Sequence, residues 1–374
     1  MGQRRWCWAT ASRTFRLAVL LGGAASLLLM PLLLTTSQWR RACDGAVRRS
    51  DTDVPSALLW TMMRSGSRLT QKLLDAESCS FVTEEPLRSL LPEGLNASLS
   101  ILQDLLSCRM VERPDLTSHF INGSHPVDHR VRTSCSDYPK LCWDGVLAEA
   151  VCRVSCFRLV RVVAQGLSVA NVLLQDYGSN AHVVHLVRDP RAMFSSRQDL
   201  VNSRYIMFAH GKKEEFMHAV DMRLPILCQR YRDDLVMATH LALNSPDRYT
   251  LLRYEDLVHR PHEEVRRLYA FLGLPYTARV DTIVGEHMLG VYSSESEEHP
   301  FSTKKKASGV VFAWRRRLPF SEVDRIQQEC GDVLRAYGYR HFTRRQYEEG
   351  QDSPLLPLPP PWAASGHGHG GGDG

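Results

Sequence analysis

Nowhere in these 374 residues does a Gly-x-x-x-x-Gly-Lys-Ser/Thr run occur, which excludes the phosphate loop of ordinary P-loop kinases. Closely spaced metal-ligand cysteines are also scarce. Of ten cysteines, only Cys152 and Cys156 have close ligand spacing, and Cys135 and Cys142 are too far apart for a zinc ribbon. No metal is expected, and the cysteines read as disulfides of an oxidising compartment, with their pairing open. Charge is missing altogether from Leu17 to Thr36, a length that can span a bilayer. Arg4, Arg5, Arg13 and Arg16 precede this run and only Arg40 and Arg41 closely follow it, so the N-terminus is expected in the cytoplasm and the remainder in a lumen. The rival, a cleaved signal peptide, has an apolar region of only about 7 to 15 residues. Patterned apolar content is lacking after Gln346, where Leu-Pro repeats, Pro359-Pro-Pro361 and a Gly-His run predict a disordered tail with solvated His367 and His369.

The resulting plan is a cytoplasmic tail (1–16), a signal-anchor transmembrane helix (17–36), a stem (37–53), a globular domain (54–345) and the tail (346–374). Asn96-Ala-Ser98 and Asn122-Gly-Ser124 are N-glycosylation triplets that suit a luminal domain. Cys43 in the stem offers a link between two copies, and hence a homodimer. Inside the domain, apolar runs of strand length alternate with helical patterns. Leu58–Met63, Phe157–Val163 and His182–Val187 read as buried strands, and 69–74, Val169–Tyr177 and Phe320–Gly338 as helices. That alternation predicts a three-layer α/β domain around a central parallel sheet. The stretch 92–145 shows little periodicity and reads as an irregular, disulfide-tied insertion.

Two places concentrate anion-binding chemistry. Arg188 follows the apolar run 182–187, so it emerges at the carboxyl end of a parallel strand, where such sheets bind ligands. Ser195 and Ser196 follow within two turns, and guanidinium and hydroxyl both donate to phosphate oxygens. The bland alternative pairs Arg188 with Asp189 or Glu255. Upstream, Arg64-Ser65-Gly66-Ser67-Arg68 joins strand to helix. Gly66 permits a tight turn, and the helix start directs unpaired N–H groups and a positive dipole end outward. An ordinary serine-capped helix is the alternative there. Together the two places describe a ligand with two separate phosphate-like groups, with Arg64, Ser65, Gly66 and Ser67 at one and Arg188 with Ser195 and Ser196 at the other.

At this point the sequence resembles the Golgi carbohydrate sulfotransferases. The resemblance covers about residues 55 to 340. Besides Arg64-Ser-Gly-Ser67 and Arg188-Asp-Pro-Arg-Ala192, it includes Arg253-Tyr-Glu-Asp-Leu257, Leu268-Tyr-Ala-Phe-Leu-Gly-Leu-Pro275 and Val311-Phe-Ala-Trp-Arg315. It implies a P-loop-like turn at 64–67 holding the 5′-phosphosulfate of PAPS (3′-phosphoadenosine 5′-phosphosulfate), with Arg188 and Ser196 on the 3′-phosphate. PAPS would leave as adenosine 3′,5′-bisphosphate. Arg68 stands where the family usually has serine or threonine, with Thr70 as a substitute hydroxyl. Arg158 stands where lysine is usual before Arg161, and a guanidinium fork is not equivalent to an ammonium.

The family's catalytic glutamate matches Glu85 best, next to Pro86, with Glu84, His125 and His129 as fallbacks. Either glutamate could instead cap a helix starting at Pro86. Arg64 would neutralise the departing phosphate, and Arg158 and Arg161 are expected to project into the same cleft. Lys304–Lys306 and Arg315–Arg317 suit an anionic glycan or a solvated face. Trp314 either packs near the nucleotide or anchors the last helix. The expected acceptor is the 6-hydroxyl of galactose or an N-acetylhexosamine, in chondroitin or keratan sulfate or other glycoprotein glycans. Nucleic acid is not expected among the partners. Two rivals are a catalytically silent, lectin-like glycan binder and a P-loop-like kinase.

Overall fold

The structure is a computed structural model, and it describes residues 54–77, 79–111, 113–116, 131, 145–163, 165–176, 180–201, 223–289 and 307–362. The stretches expected as anchor and stem, Asn122, His125, His129, Cys135, Cys142, Lys304–Lys306, His367 and His369 lie outside these residues. Among the described residues no helix is long and apolar enough to cross a membrane.

Five strands form one wholly parallel sheet: β1 (Ser56–Thr61), β2 (Ser80–Glu84), β3 (Phe157–Val163), β4 (Ala181–Val187) and β5 (Tyr249–Arg253), in the order β2-β3-β1-β4-β5. Nearly every strand residue is buried, as expected where helices cover both faces. On one face lie α1 (Ser67–Leu74), α8 (Tyr254–His259), α9 (Pro261–Phe271) and α10 (Ala278–Leu289), packed on Ala57, Leu59, Val82, Leu159, Val184 and Leu186. The opposite face carries α3 (Gly94–Leu106), α4 (Val146–Arg153), α5 (Ser168–Asp176), α6 (Pro190–Val201) and α7 (Leu224–Asn244) against Leu58, Trp60, Phe81, Val160, Val162 and Val183. The short α2 (Pro86–Leu90) follows β2. The alternation of these two residue sets along each strand is the period-two pleat. It decides which side chains reach which layer.

Because α1 leaves β1 toward one face and α6 leaves β4 toward the other, a crevice opens between the carboxyl ends of these neighbouring strands. The C-terminal part is α11 (Ala307–Val310), α12 (Trp314–Arg317), α13 (Phe320–Glu329), α14 (Gly331–Ala336) and α15 (Arg344–Glu349). The helix expected over Phe320–Gly338 is thus two helices. The break falls at Cys330, which is disulfide-bonded to Cys228 of α7. Cys79–Cys156 and Cys108–Cys152 are the other bridges among the described residues, so Cys152 and Cys156 serve neither as zinc ligands nor as a pair with each other.

Two expectations need correction. The stretch 92–145 contains the 13-residue helix α3, whose Leu99, Leu102, Leu105 and Leu106 enter the core at helical spacing. Asn96 sits exposed in its first turn. The tail does not begin at 346. α15 runs to Glu349, Leu355 bridges to Tyr339, and Trp362 is buried against Tyr337. The prolines that removed helical periodicity there suit an extended strap, which buries side chains without regular structure.

Candidate active site

The β1–α1 turn begins with Arg64 at φ 74° and passes through Gly66 at φ 98°. Gly66 is required twice over. Its backbone is left-handed, and a Cβ there would lie 2.3 Å from Cε2 of Tyr254. Helix α1 opens directly behind it, with Thr70 N–H making the first bond to the Gly66 carbonyl at 3.2 Å. The preceding N–H groups of Ser67, Arg68 and Leu69 therefore belong to the helix's first turn, where the helix itself supplies no acceptor. The cap residue is Gly66, with no side-chain cap, so the serine-capped alternative does not hold. Ser65 is buried, and its hydroxyl lies 2.5 Å from Thr61 Oγ1, turned back toward the strand.

Arg188 leaves the end of β4 beside this turn. Its Nη1 donates to the Arg64 carbonyl at 3.0 Å, and Arg64 Nε donates to Ser196 Oγ on α6 at 3.0 Å. The two stretches read separately from the sequence are thus one hydrogen-bonded group on adjacent strands. Arg188 pairs with neither acid proposed for it. Asp189 is taken by Arg191 at 2.8 Å. Glu255 accepts the Asp189 N–H at 3.0 Å and the Tyr339 hydroxyl at 2.9 Å. Arg188 instead lies over the Tyr254 ring, 4.7 Å from its centroid, and among the described residues its buried Nε has no hydrogen-bond partner. Burial and the Arg188 charge pull the Arg64 guanidinium down to about 10. Two cations held this close favour an anion between them.

A second cluster stands one strand further along. Arg161 is buried on β3, facing α1. Its Nη2 reaches Glu84 Oε2 at 2.6 Å and Glu85 Oε1 at 3.0 Å, and its Nη1 donates to Ser67 Oγ at 3.4 Å. Gln71 Nε2 holds the other Glu84 oxygen at 2.7 Å, and Arg88 holds Glu85 Oε2 at 2.8 Å. Burial pulls Arg161 below the usual arginine range, and the two glutamates oppose that shift. Glu85 is the residue before α2, at φ 52°, and its side chain makes no cap bond. Its backbone N–H instead donates to the Arg161 carbonyl at 2.8 Å, which fixes the carboxylate at the strand end.

Arg158 does not join this group. Three positions from Arg161, it points to the opposite face of the sheet, and its register partner is Ser56 at the amino end of β1. Its Nη1 donates to the Leu106 carbonyl at the end of α3. The change from lysine to arginine therefore falls outside the cleft. Trp314 packs on Arg191, Phe342 and Tyr347, so it anchors the C-terminal helices. Sequence reasoning missed Tyr254 and Gln71 as site residues. Tyr254 lay inside a noted motif, but only the fold brings its ring to Gly66. Among the described residues no group of acids, histidines or cysteines could hold a metal.

Residues 54–338 match the sulfotransferase domain model. Carbohydrate sulfotransferase 5 of Mus musculus is 33% identical over 325 residues, covering 82% of this chain and 80% of that protein. The Homo sapiens protein of the same name is 29% identical, covering 82% and 77%. Among solved structures, the sulfotransferase domain of the Synechococcus PCC 7002 olefin synthase aligns at a TM-score of 0.43 with 17% identity, covering 79% of this chain and 99% of that one. By the domain match over 54–338 and the 33% identical relative, the chain belongs to the carbohydrate sulfotransferases, enzymes of the sulfotransferase family.

Proposed function

We propose that the chain transfers a sulfonate from PAPS to a sugar hydroxyl, the 6-hydroxyl of galactose, N-acetylglucosamine or N-acetylgalactosamine in chondroitin- or keratan-sulfate-type glycans. The setting we propose is the Golgi membrane, with a single-pass type II anchor at 17–36 and the catalytic domain in the lumen. The observation that carries the donor reading is the joined group of Arg64, Arg188 and Ser196 in the β1/β4 crevice. Its chemistry fits an adenosine bisphosphate skeleton. Arg188 makes no salt bridge among the described residues, its Nε is buried without a partner, and the turn at Gly66 has room for backbone but not for a side chain. Arg64, Ser65, Gly66, Ser67 and Arg68 would surround the 5′ end, while Arg188 and Ser196 would take the 3′-phosphate.

The donor supplies an activated sulfonate whose bridging oxygen gains negative charge as its bond to sulfur breaks. Arg64 and the first turn of α1 are fixed positive charge beside that oxygen, needing no reorganisation during reaction. The acceptor hydroxyl forms the new oxygen–sulfur bond and gives up its proton. Glu85 is the assigned base, with its carboxylate buried at the end of β2 and linked through Arg161 to Ser67 of the phosphate turn. Arg161 thereby ties the position of the base to that of the donor. Arg158 has no part in this scheme. Glu85→Gln is expected to abolish transfer of labelled sulfonate to desulfated chondroitin and keratan while leaving donor binding intact. Retained transfer would remove Glu85 from the role, and phosphate transfer from ATP would replace the whole reading.

A further inference from the structure

Residues 351–362 lie beyond the matched domain, which ends at 338, yet they are fixed to it by backbone and side-chain bonds. Leu356 N–H donates to the Gly338 carbonyl at 2.9 Å, and Arg340 N–H to the Pro354 carbonyl at 2.8 Å. Arg340 Nε reaches the Ser353 carbonyl and Arg315 Nη1 the Asp352 carbonyl, both at 2.8 Å. Trp362 stacks on Tyr337, and its Nε1 donates to the Ala336 carbonyl at 2.9 Å. Gly338, at φ 67°, lets the strap come close. A Cβ there would lie 2.8 Å from the Pro357 carbonyl oxygen and from Arg253 Nη1.

The strap ends on the nucleotide side of the sheet through three consecutive residues. Arg253 closes β5. Its Nη1 donates to the carbonyls of Tyr337, Gly338 and Leu356 at 2.9 to 3.0 Å, and its Nε and Nη2 grip Asp256. Tyr254 comes next, with its ring against Gly66 and beneath Arg188. Glu255 follows, joining the Asp189 N–H to the Tyr339 hydroxyl. A displacement of the strap is therefore a displacement of the residues that wedge the phosphate turn and Arg188 in place.

We propose that residues 351–362 are a positioning brace for the donor site, setting the affinity for an adenosine bisphosphate without touching it. The identity of that ligand rests on the donor reading above; the mechanical coupling does not. The test compares the full chain, a chain ending at Ala364, a chain ending at Gly350 and full-length Trp362→Ala. Amide exchange at 66–69 is followed without ligand, and adenosine 3′,5′-bisphosphate is titrated by calorimetry. The Gly350 chain and Trp362→Ala are expected to exchange faster at the turn and to bind the nucleotide about tenfold more weakly. Their KM for PAPS rises, while kcat stays within about twofold. The Ala364 chain matches the full chain. Unchanged exchange at the turn in Trp362→Ala overturns the brace, as does exchange that rises equally throughout the sheet. A full chain that binds no adenosine bisphosphate overturns the donor reading, and the exchange comparison still decides the brace.

Discussion

Gly66→Ala is the sharpest perturbation the site offers. The new methyl would start 2.3 Å from Cε2 and 2.4 Å from Cδ2 of Tyr254, well inside contact distance, on a backbone at φ 98°. A left-handed alanine costs about 1–2 kcal/mol. Overfilling a packed site costs about 1–3 kcal/mol more, because the buried ring must shift. Tyr254 cannot shift without moving away from Arg188, whose guanidinium lies over it. Part of the penalty therefore appears in ligand binding. We expect the dissociation constant for adenosine 3′,5′-bisphosphate to rise at least about thirtyfold, equivalent to about 2 kcal/mol, together with a lower melting temperature. Gly94→Ala is the control. Its φ is 83° but none of the described residues lies within 4 Å of the added Cβ, so it carries backbone strain alone and leaves nucleotide affinity unchanged. In a Tyr254→Leu background, Gly66→Ala should cost less than the two single changes suggest, since the clash is gone. Calorimetric titration of the purified variants decides the matter. Wild-type affinity in Gly66→Ala would refute the assignment of this turn to the donor.

The two basic residues of β3 should separate cleanly. Arg158→Leu loses the bond to the Leu106 carbonyl and should destabilise the fold by about 1–3 kcal/mol while nucleotide affinity holds, as read by denaturation and titration. Arg161→Met strips Glu84 and Glu85 of their shared cation, so turnover should fall far more than affinity; equal effects of the two changes on turnover would contradict the opposite-face arrangement. Asp234 gives a pH signature. Burial pushes its carboxyl up to about 7, with its bond to the Leu167 N–H opposing the shift. The folded state then holds that proton more tightly than the unfolded chain, so the contribution is complete below about pH 4 and is lost as pH rises through about 7. Asp234→Asn should gain on the wild type by up to about 4 kcal/mol between those limits. A difference that does not change with pH, measured by denaturant unfolding, would dismiss the shift.

Much of the sheet was legible because parallel strands bury both faces and read as unbroken apolar runs. The expected bounds of Phe157–Val163 are those observed, and β4 begins one residue earlier than expected, at Ala181. β1 begins two residues earlier than expected and stops at Thr61, because Met62 and Met63 already belong to the approach to the turn. The strand order was not legible, since local pattern carries no information on which strands become neighbours. That order is what brings Arg64 and Arg188 together. The misplacement of Arg158 had a readable cause. Residues three apart on a strand face opposite ways, and the period-two rule applied at Arg161 would have sent Arg158 to the other layer. Helix α3 was obscured by Gly94, Asn96, Ser98 and Ser100, weak helix formers whose cost is overcome by the leucines between and after them. The strap was invisible because extended, proline-rich chain has no periodicity to detect; Trp362 was its one clue.

The central claim is that Arg188 and the turn at Gly66 hold opposite ends of one adenosine bisphosphate. The direct test is calorimetric titration of adenosine 3′,5′-bisphosphate and of adenosine 5′-monophosphate into the wild type and Arg188→Ala. The account predicts that Arg188→Ala weakens the bisphosphate by about tenfold or more and the monophosphate, which lacks the 3′ group, distinctly less, only as far as the lost bond to the Arg64 carbonyl loosens the turn. Equal loss of both ligands, or loss of neither, would contradict it.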